Sequence, residues 1–391
     1  MNNIVFSVST AFGLEKLLKF EVLDLGFDNL KGSDGRIEFA GSLPDICKLN
    51  INLRTANRVF LKLSEFRAET FDELFEGVKK IDWAKYLSRD SEFPVSKVSS
   101  FKSKLFAKSS IQAICKKAIV EKLRESFKCN SFPEDGELFK IHIAIKDDIV
   151  SVLIDTSGES LNKRAYREKG NFAPIKETLA SALVKLATRY PEKDIIYDPL
   201  CGTGTILIEG MMQALKIAPG LNRSFISETW NFIDKKYWNI ERENARKKIV
   251  KNLDIKYFGT DIDEEAVKIA KENAKKAGVY DYIDFEVSDF WDFDLNKIKA
   301  KKGYEKYFSR KGIIITNPPY GERLMDKDEV FDLYADMGDK FFEDFPDFDY
   351  FVLTSDTNFE RAFGERADKN RKLYNGKILC YLYQYFNMKK N

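Results

Sequence analysis

Asn317-Pro318-Pro319-Tyr320 brings an amide, a proline-fixed carbonyl and an aromatic face into four residues. That set suits an exocyclic amino group on a flat base. Asn317 Oδ1 and the Pro318 carbonyl can each accept one N–H, and the Tyr320 ring can stack on the base for about 1–3 kcal/mol. The lone pair of an aryl amine is delocalised into its ring, so two acceptors that favour pyramidal nitrogen raise its nucleophilicity. Such chemistry needs positioning more than a strong base. Alone, the tetrapeptide is more often a plain strand-ending loop.

Three acids upstream change that balance. Asp198 precedes a glycine turn, Cys201-Gly202-Thr203-Gly204-Thr205, followed by a helical pattern over residues 206–215. Strand, glycine turn and helix in this order aim backbone N–H groups at an anionic ligand group. A carboxylate beside the turn opposes a pyrophosphate but suits a ligand with a cationic ammonium, such as the methionine end of S-adenosylmethionine. Asp261 closes the next apolar run and is placed to accept both hydroxyls of a ribose. Asp289 closes the third, where it can accept an adenine amino group while Phe290 lies against the ring. One such acid is ordinarily a helix cap. Three in succession, with Asn-Pro-Pro-Tyr on the fourth run, point to a ligand site along one sheet edge.

The elements that must carry these residues are legible as apolar runs at residues 195–198, 257–261, 283–287 and 312–315, with an amphipathic helix over 263–277. The two prolines force the last run into an extended turn. Upstream, the pattern predicts a strand at 4–9, helices over 13–25 and 42–53, strands at 36–39 and 59–66, and a hairpin of 138–145 with 149–154. A helix capped by Ser109 or Ser110 presents Ile111, Cys115, Ala118, Ile119 and Leu123 on one face and lysines on the other. The polar stretch 156–172, basic at Lys163, Arg164, Arg167 and Lys169, reads as the linker.

Composition excludes other classes. The 391 residues exceed one ordinary core, so two or three domains are expected. There is no run of 18 apolar residues and no leader pattern at the start, so membrane insertion and secretion are not expected. Five scattered cysteines without a Cys-x-x-Cys pair imply reduced thiols in a cytoplasmic protein and no zinc site. With His142 as the only histidine, histidine-based metal sites and Ser-His catalysis are not expected. Net charge is +2, yet residues 97–128 hold nine basic side chains against two acidic ones. Lys116, Lys117 and Lys122 within that stretch are candidate phosphate contacts, or a solvated helix face.

Asp198 to Thr205 and Thr316 to Leu324 resemble the cofactor and amino-methylation motifs of class I methyltransferases, closest to the bacterial family that methylates guanine N2 in large-subunit (23S) ribosomal RNA. Residues 161–167, 173–180 and 218–220 match it further. The resemblance implies an α/β fold. It places a ferredoxin-like segment at 1–53, a THUMP RNA-binding domain at 54–155, a linker at 156–172 and a Rossmann-like methyltransferase domain at 173–391. It also implies cofactor roles for Thr178 and Ile262, RNA contacts at Arg164, Arg167 and Arg323, and no metal. Some relatives carry a second methyltransferase domain, whereas one activity is expected here. Gly204 and Asp261 are far apart for a compact βαβ unit. The intervening insertion, roughly 217–253 with Trp230 and Trp238, reads as a wall of the substrate cleft.

Two competing readings use the same residues. An N6-adenine methyltransferase on DNA or RNA would need the same Asn-Pro-Pro-Tyr turn, although the N-terminal module favours structured RNA. A non-catalytic RNA-binding assembly factor would retain the fold, and the intact acids weigh against it. Cys201 sits in the cofactor turn, which argues against carbon-5 methylation of pyrimidines.

Overall fold

The computed structural model describes residues 2–167, 175–188, 194–292, 294, 300, 304–307, 312–319 and 327–386. The chain forms two compact units. One comprises Met1–Thr10, Lys19–Leu161 and Arg223–Glu243, and the other Ala11–Leu18, Asn162–Asn222 and Asn244–Asn391.

The first unit is built on one sheet of seven strands, β1 (Asn2–Thr10), β2 (Lys31–Ser33), β3 (Arg36–Ser42), β4 (Ala56–Arg67), β5 (Val95–Phe101), β6 (Ile141–Lys146) and β7 (Ile149–Asp155). Their order is β2-β3-β1-β4-β7-β6-β5. The sequence divides this region near residue 53, but hydrogen bonding does not. β4 pairs with β1 on one side and β7 on the other, so one sheet runs through both predicted modules. Helices α1 (Glu15–Asp24), α2 (Asp45–Asn52), α3 (Phe71–Lys79) and α4 (Lys108–Phe127) belong to this half of the chain. Thr70 and Glu73 form a reciprocal capping box that starts α3. α4 begins one residue before the serines expected to cap it, with Ala107 at the cap position and no side-chain cap.

Residues Arg223–Glu243 of the insertion belong to this first unit. Trp230 stacks on Phe139 with ring centroids 4.6 Å apart, and its Nε1 donates to Leu138 O at 3.1 Å. Trp238 stacks on Phe225. Both indoles are buried. Burying these large aromatics anchors the segment within its own unit.

The second unit holds α5 (Glu177–Ala187), β8 (Ile195–Asp198), α6 (Thr205–Ala214), β9 (Tyr257–Asp261), α8 (Glu264–Ala277), β10 (Ile283–Val287), β11 (Gly312–Thr316), α9 (Lys327–Asp344), β12 (Asp349–Thr354), α10 (Phe359–Ala362), β13 (Lys369–Asn375) and β14 (Ile378–Tyr385); α7 (Lys235–Lys247) bridges the segment division. Strand order is β10-β9-β8-β11-β12-β14-β13, parallel except for the pairings of β14. Strands β8, β11 and β12 are buried along their whole length, as parallel strands covered on both faces must be. Apolar helices, α5 and α6 among them, supply that cover. Chain order reverses direction across the sheet between β8 and β11. That switch point is where open α/β sheets bind ligands.

Candidate cofactor and amine site

Four strand ends meet at the switch point. Asp198 pairs in register with Gly259, Val287 with Asp261, and Ile314 with Tyr197, which sets the ends of β10, β9, β8 and β11 side by side. Asp198 and Asn317 therefore end the two strands that flank the reversal.

The glycine turn is tied down from both neighbours. Cys201 N–H donates to Thr260 O at 2.9 Å, Gly204 N–H to Cys201 O at 2.8 Å, and Gly202 N–H to Asp261 Oδ2 at 2.7 Å. The two glycines serve different needs. Gly202 has φ +50 and open space where a Cβ would stand, leaving room for a ligand above the turn. Gly204 has φ +77, and a Cβ there would come within 2.9 Å of the Phe285 ring. α6 starts at this turn with no side-chain cap, so its first N–H groups remain for an anionic group such as a carboxylate.

Asp261 accepts from Gly202 and, through Oδ1, from Asp263 N–H at 3.0 Å. Its remaining acceptor capacity suits the hydroxyls of a diol. Burial raises its carboxyl above the usual range. Asp198 is 1% exposed, and burial pushes its carboxyl up to about 7, against the opposing pull of the Thr316 hydroxyl and Leu200 N–H. Among the described residues no ion pair is formed by this buried acid, which suits it to a cationic ligand group. Ile262 is exposed, presenting an apolar surface next to Asp261. Asp289 is half-buried and accepts from Trp291 N–H at 3.1 Å. Phe290, expected to face the adenine, is 4% exposed and packs edge-on against Phe341 and Trp291. Its ring belongs to the core, and the exposed aromatic at this end is Trp291.

Asn317 Oδ1 is buried and accepts no hydrogen bond among the described residues. A buried acceptor left unpaired costs about 1–3 kcal/mol, a cost that a ligand N–H would remove. The turn that carries it is fixed by Tyr334, whose hydroxyl donates to Pro319 O at 3.1 Å and shares a 2.8 Å bond with Thr354 Oγ1. Sequence reasoning missed Tyr334. Its signal was a hydroxyl on the otherwise apolar face of a helix following the motif. Tyr320 and Arg323 lie outside the described residues.

The arginines assigned to RNA are elsewhere. The Arg164 side chain is 1% exposed, with Nε 3.4 Å from Glu209 Oε1. Tyr166 and Ser181 hydroxyls also donate to Glu209. Arg167 donates to Thr205 Oγ1 and Ile175 O and pairs with Glu177 at 3.2 Å. Both brace α5 and α6 behind the glycine turn and are not surface contacts. Thr178 is buried in α5 at 3% exposure. In the first unit, Lys116 is held by Glu134 at 2.7 Å with its ammonium over the Phe93 ring, whereas Lys117 is exposed and Lys122 half-buried. His142 is buried, and burial together with nearby Arg58 and Lys97 lowers its pKa to about 3, so it stays neutral. Among the described residues no cluster of three or more potential ligands could hold a metal ion, and no helix is long and apolar enough to cross a membrane.

A doubly wound sheet with an uncapped glycine turn, strand-end acids and a free amide acceptor has the donor set to hold S-adenosylmethionine beside an amine, and the fold is that of a class I methyltransferase. The chain belongs to the RMKL-like methyltransferase family, whose model matches residues 164–384, preceded by an RlmL ferredoxin-like domain at 6–60 and a THUMP domain at 68–155. It is 41% identical over 389 residues to YpsC of Bacillus subtilis (strain 168), a protein named as a candidate RNA methyltransferase, covering 99% of this chain and 97% of that one. It is 32% identical over 386 residues to ribosomal RNA large subunit methyltransferase K/L of Psychromonas ingrahamii, covering 97% of this chain but 50% of that protein. Among solved structures, SMU.472, a candidate methyltransferase complexed with SAH, superposes with a TM-score of 0.89 at 39% identity over the full length of both chains. A Listeria monocytogenes protein named for a predicted N6-adenine-specific DNA methylase activity gives 0.89 at 40% identity, covering 99% of this chain and 97% of that one.

Proposed function

We propose that this S-adenosylmethionine-dependent RNA methyltransferase methylates the exocyclic N2 of a guanine in 23S ribosomal RNA or a ribosomal assembly intermediate, in the cytoplasm. The carrying observation is the buried, unpartnered Oδ1 of Asn317 at the switch point. The large-subunit RNA substrate of the K/L relative supports the choice of RNA, as does the THUMP domain.

When bound, the cofactor supplies an electrophilic methyl group. Gly202, Gly204 and the N-terminus of α6 would take its carboxylate, Asp198 its ammonium, Asp261 its ribose and Asp289 its adenine amine. Asn317 Oδ1 and the Pro318 carbonyl hold the target amine by its two N–H groups and keep the nitrogen pyramidal. Tyr334 holds the turn through Pro319, and Tyr320 is assigned the stacking face. The amine becomes acidic as it gains charge, so its proton passes to an acceptor already in contact and no dedicated base is required.

Mass spectrometry of nucleosides from ribosomal RNA of a deletion strain tests the assignment. Loss of N2-methylguanosine, restored by the wild-type gene, is expected. Loss of N6-methyladenosine instead would move the target to adenine, a reading that the name given to the Listeria protein favours.

A further inference from the structure

The loop between β5 and α4 leaves two phenylalanines in water. Phe106 is 77% exposed, the highest value among the large apolar side chains described, and Phe101 is 60% exposed. Mobility does not explain them, because the loop is tightly tied. Ser100 Oγ donates to Leu105 O at 2.5 Å and Ser103 Oγ to Phe101 O at 2.9 Å. Lys104 N–H donates to Asp148 Oδ1 at 2.7 Å, and Asp148 N–H returns to Ser103 Oγ at 3.1 Å. Leu105 is buried at 4% as the plug, and Lys102 holds a left-handed backbone at φ +49. The fold thus fixes a strained loop, buries one apolar residue of it and leaves the two rings exposed.

Charge identifies the occupant. Lys102 Nζ lies 5.5 Å from the Phe101 ring centroid, and Lys97 and Lys108 are exposed nearby. Lys104 is paired with Glu69, and Asp148 is engaged by the loop amide and lies 3.6 Å from Arg67. Rings separated by lysines do not make the continuous apolar patch of a protein or membrane interface. They match a strand of nucleic acid, with bases on the rings and phosphates on the ammoniums. A duplex keeps its base faces stacked inside, so the strand must be unpaired.

Building on the proposed RNA substrate, we propose that Phe101 and Phe106, which are not among the residues assigned to the amine, form a stacking site for unpaired bases of that RNA. The test uses the full chain and two probes, a short unstructured RNA oligonucleotide and an RNA duplex of equal length, read by fluorescence anisotropy at fixed salt. Phe101→Ala/Phe106→Ala should weaken single-strand binding about ten- to a hundredfold. The slope of affinity against salt should stay unchanged, because no phosphate contact is lost. Duplex and SAH affinities should remain at wild-type levels, and Phe101→Tyr/Phe106→Tyr should restore binding. Single-strand affinity unchanged in the double alanine variant overturns the inference and leaves the methyltransferase reading intact, as does equal loss of both probes or a loss of self-association alone. Wild-type protein that binds SAH but neither RNA overturns both.

Discussion

The backbone amide of Gly202 donates to Asp261 Oδ2 at 2.7 Å, so the glycine turn after β8 and the acid ending β9 form one hydrogen-bonded unit. One carboxylate both shapes the loop and keeps acceptor capacity for a ligand.

Asp261→Ala should therefore weaken cofactor binding while leaving RNA binding largely intact. Each hydrogen bond lost to a charged acceptor costs about 1.5–3 kcal/mol at most. Asp261→Asn, which keeps one acceptor oxygen, should fall between the two. Calorimetric titration with SAH reads the effect, and an unchanged dissociation constant for Asp261→Ala would remove this strand end from the site.

Asp198 should make cofactor affinity depend on pH. Its carboxyl is raised to about 7 by burial, and a ligand ammonium favours the ionised form. Below pH 7 binding must first remove a proton, so affinity should fall by up to about tenfold per unit as pH drops and level off above 7. Titrations in buffers of different ionisation enthalpy should show proton release on binding near that pH. Asp198→Asn should bind more weakly with a flattened profile. A wild-type profile that is already flat contradicts the role given to Asp198.

Trp230 tests where the insertion acts. Removing a buried indole stacked on Phe139 should cost about 3–5 kcal/mol of stability in the first unit, with Trp230→Phe much milder. Chemical denaturation followed by near-ultraviolet circular dichroism measures it. If Trp230→Ala unfolds like wild type but raises KM for RNA, the insertion acts as a wall of the substrate cleft.

The parallel strands, the hairpin β6–β7 and the strand-end acids were legible because each apolar run stops at a residue with a local reason to stop, such as the prolines after Thr316 or the Lys146–Ile149 turn. What escaped was non-local. β1 pairs with β4 across residues that the sequence assigns to separate modules, and Trp230 finds Phe139 some ninety positions away. Nothing in a local pattern encodes such pairings. Arg164 looked like a surface cation because charge in a linker is normally solvated. Glu209, which sits in the middle of an apolar helix, was the clue that a cation had to be buried with it. Phe290 failed similarly, because an aromatic beside an acid does not reveal which way its ring turns.

The central claim concerns Asn317. The proposed site takes its cofactor contacts from the other three strand ends, so Asn317→Ala should leave SAH affinity unchanged while removing one oriented acceptor from the amine. By analogy with loss of a single oxyanion-hole donor, the rate should fall about 10²–10³-fold. The direct measurement is single-turnover methyl transfer to unmodified ribosomal RNA at saturating cofactor. A hundredfold or greater loss with intact SAH binding is the predicted result, and a near-wild-type rate for Asn317→Ala would mean that the turn is structural and the catalytic reading is wrong.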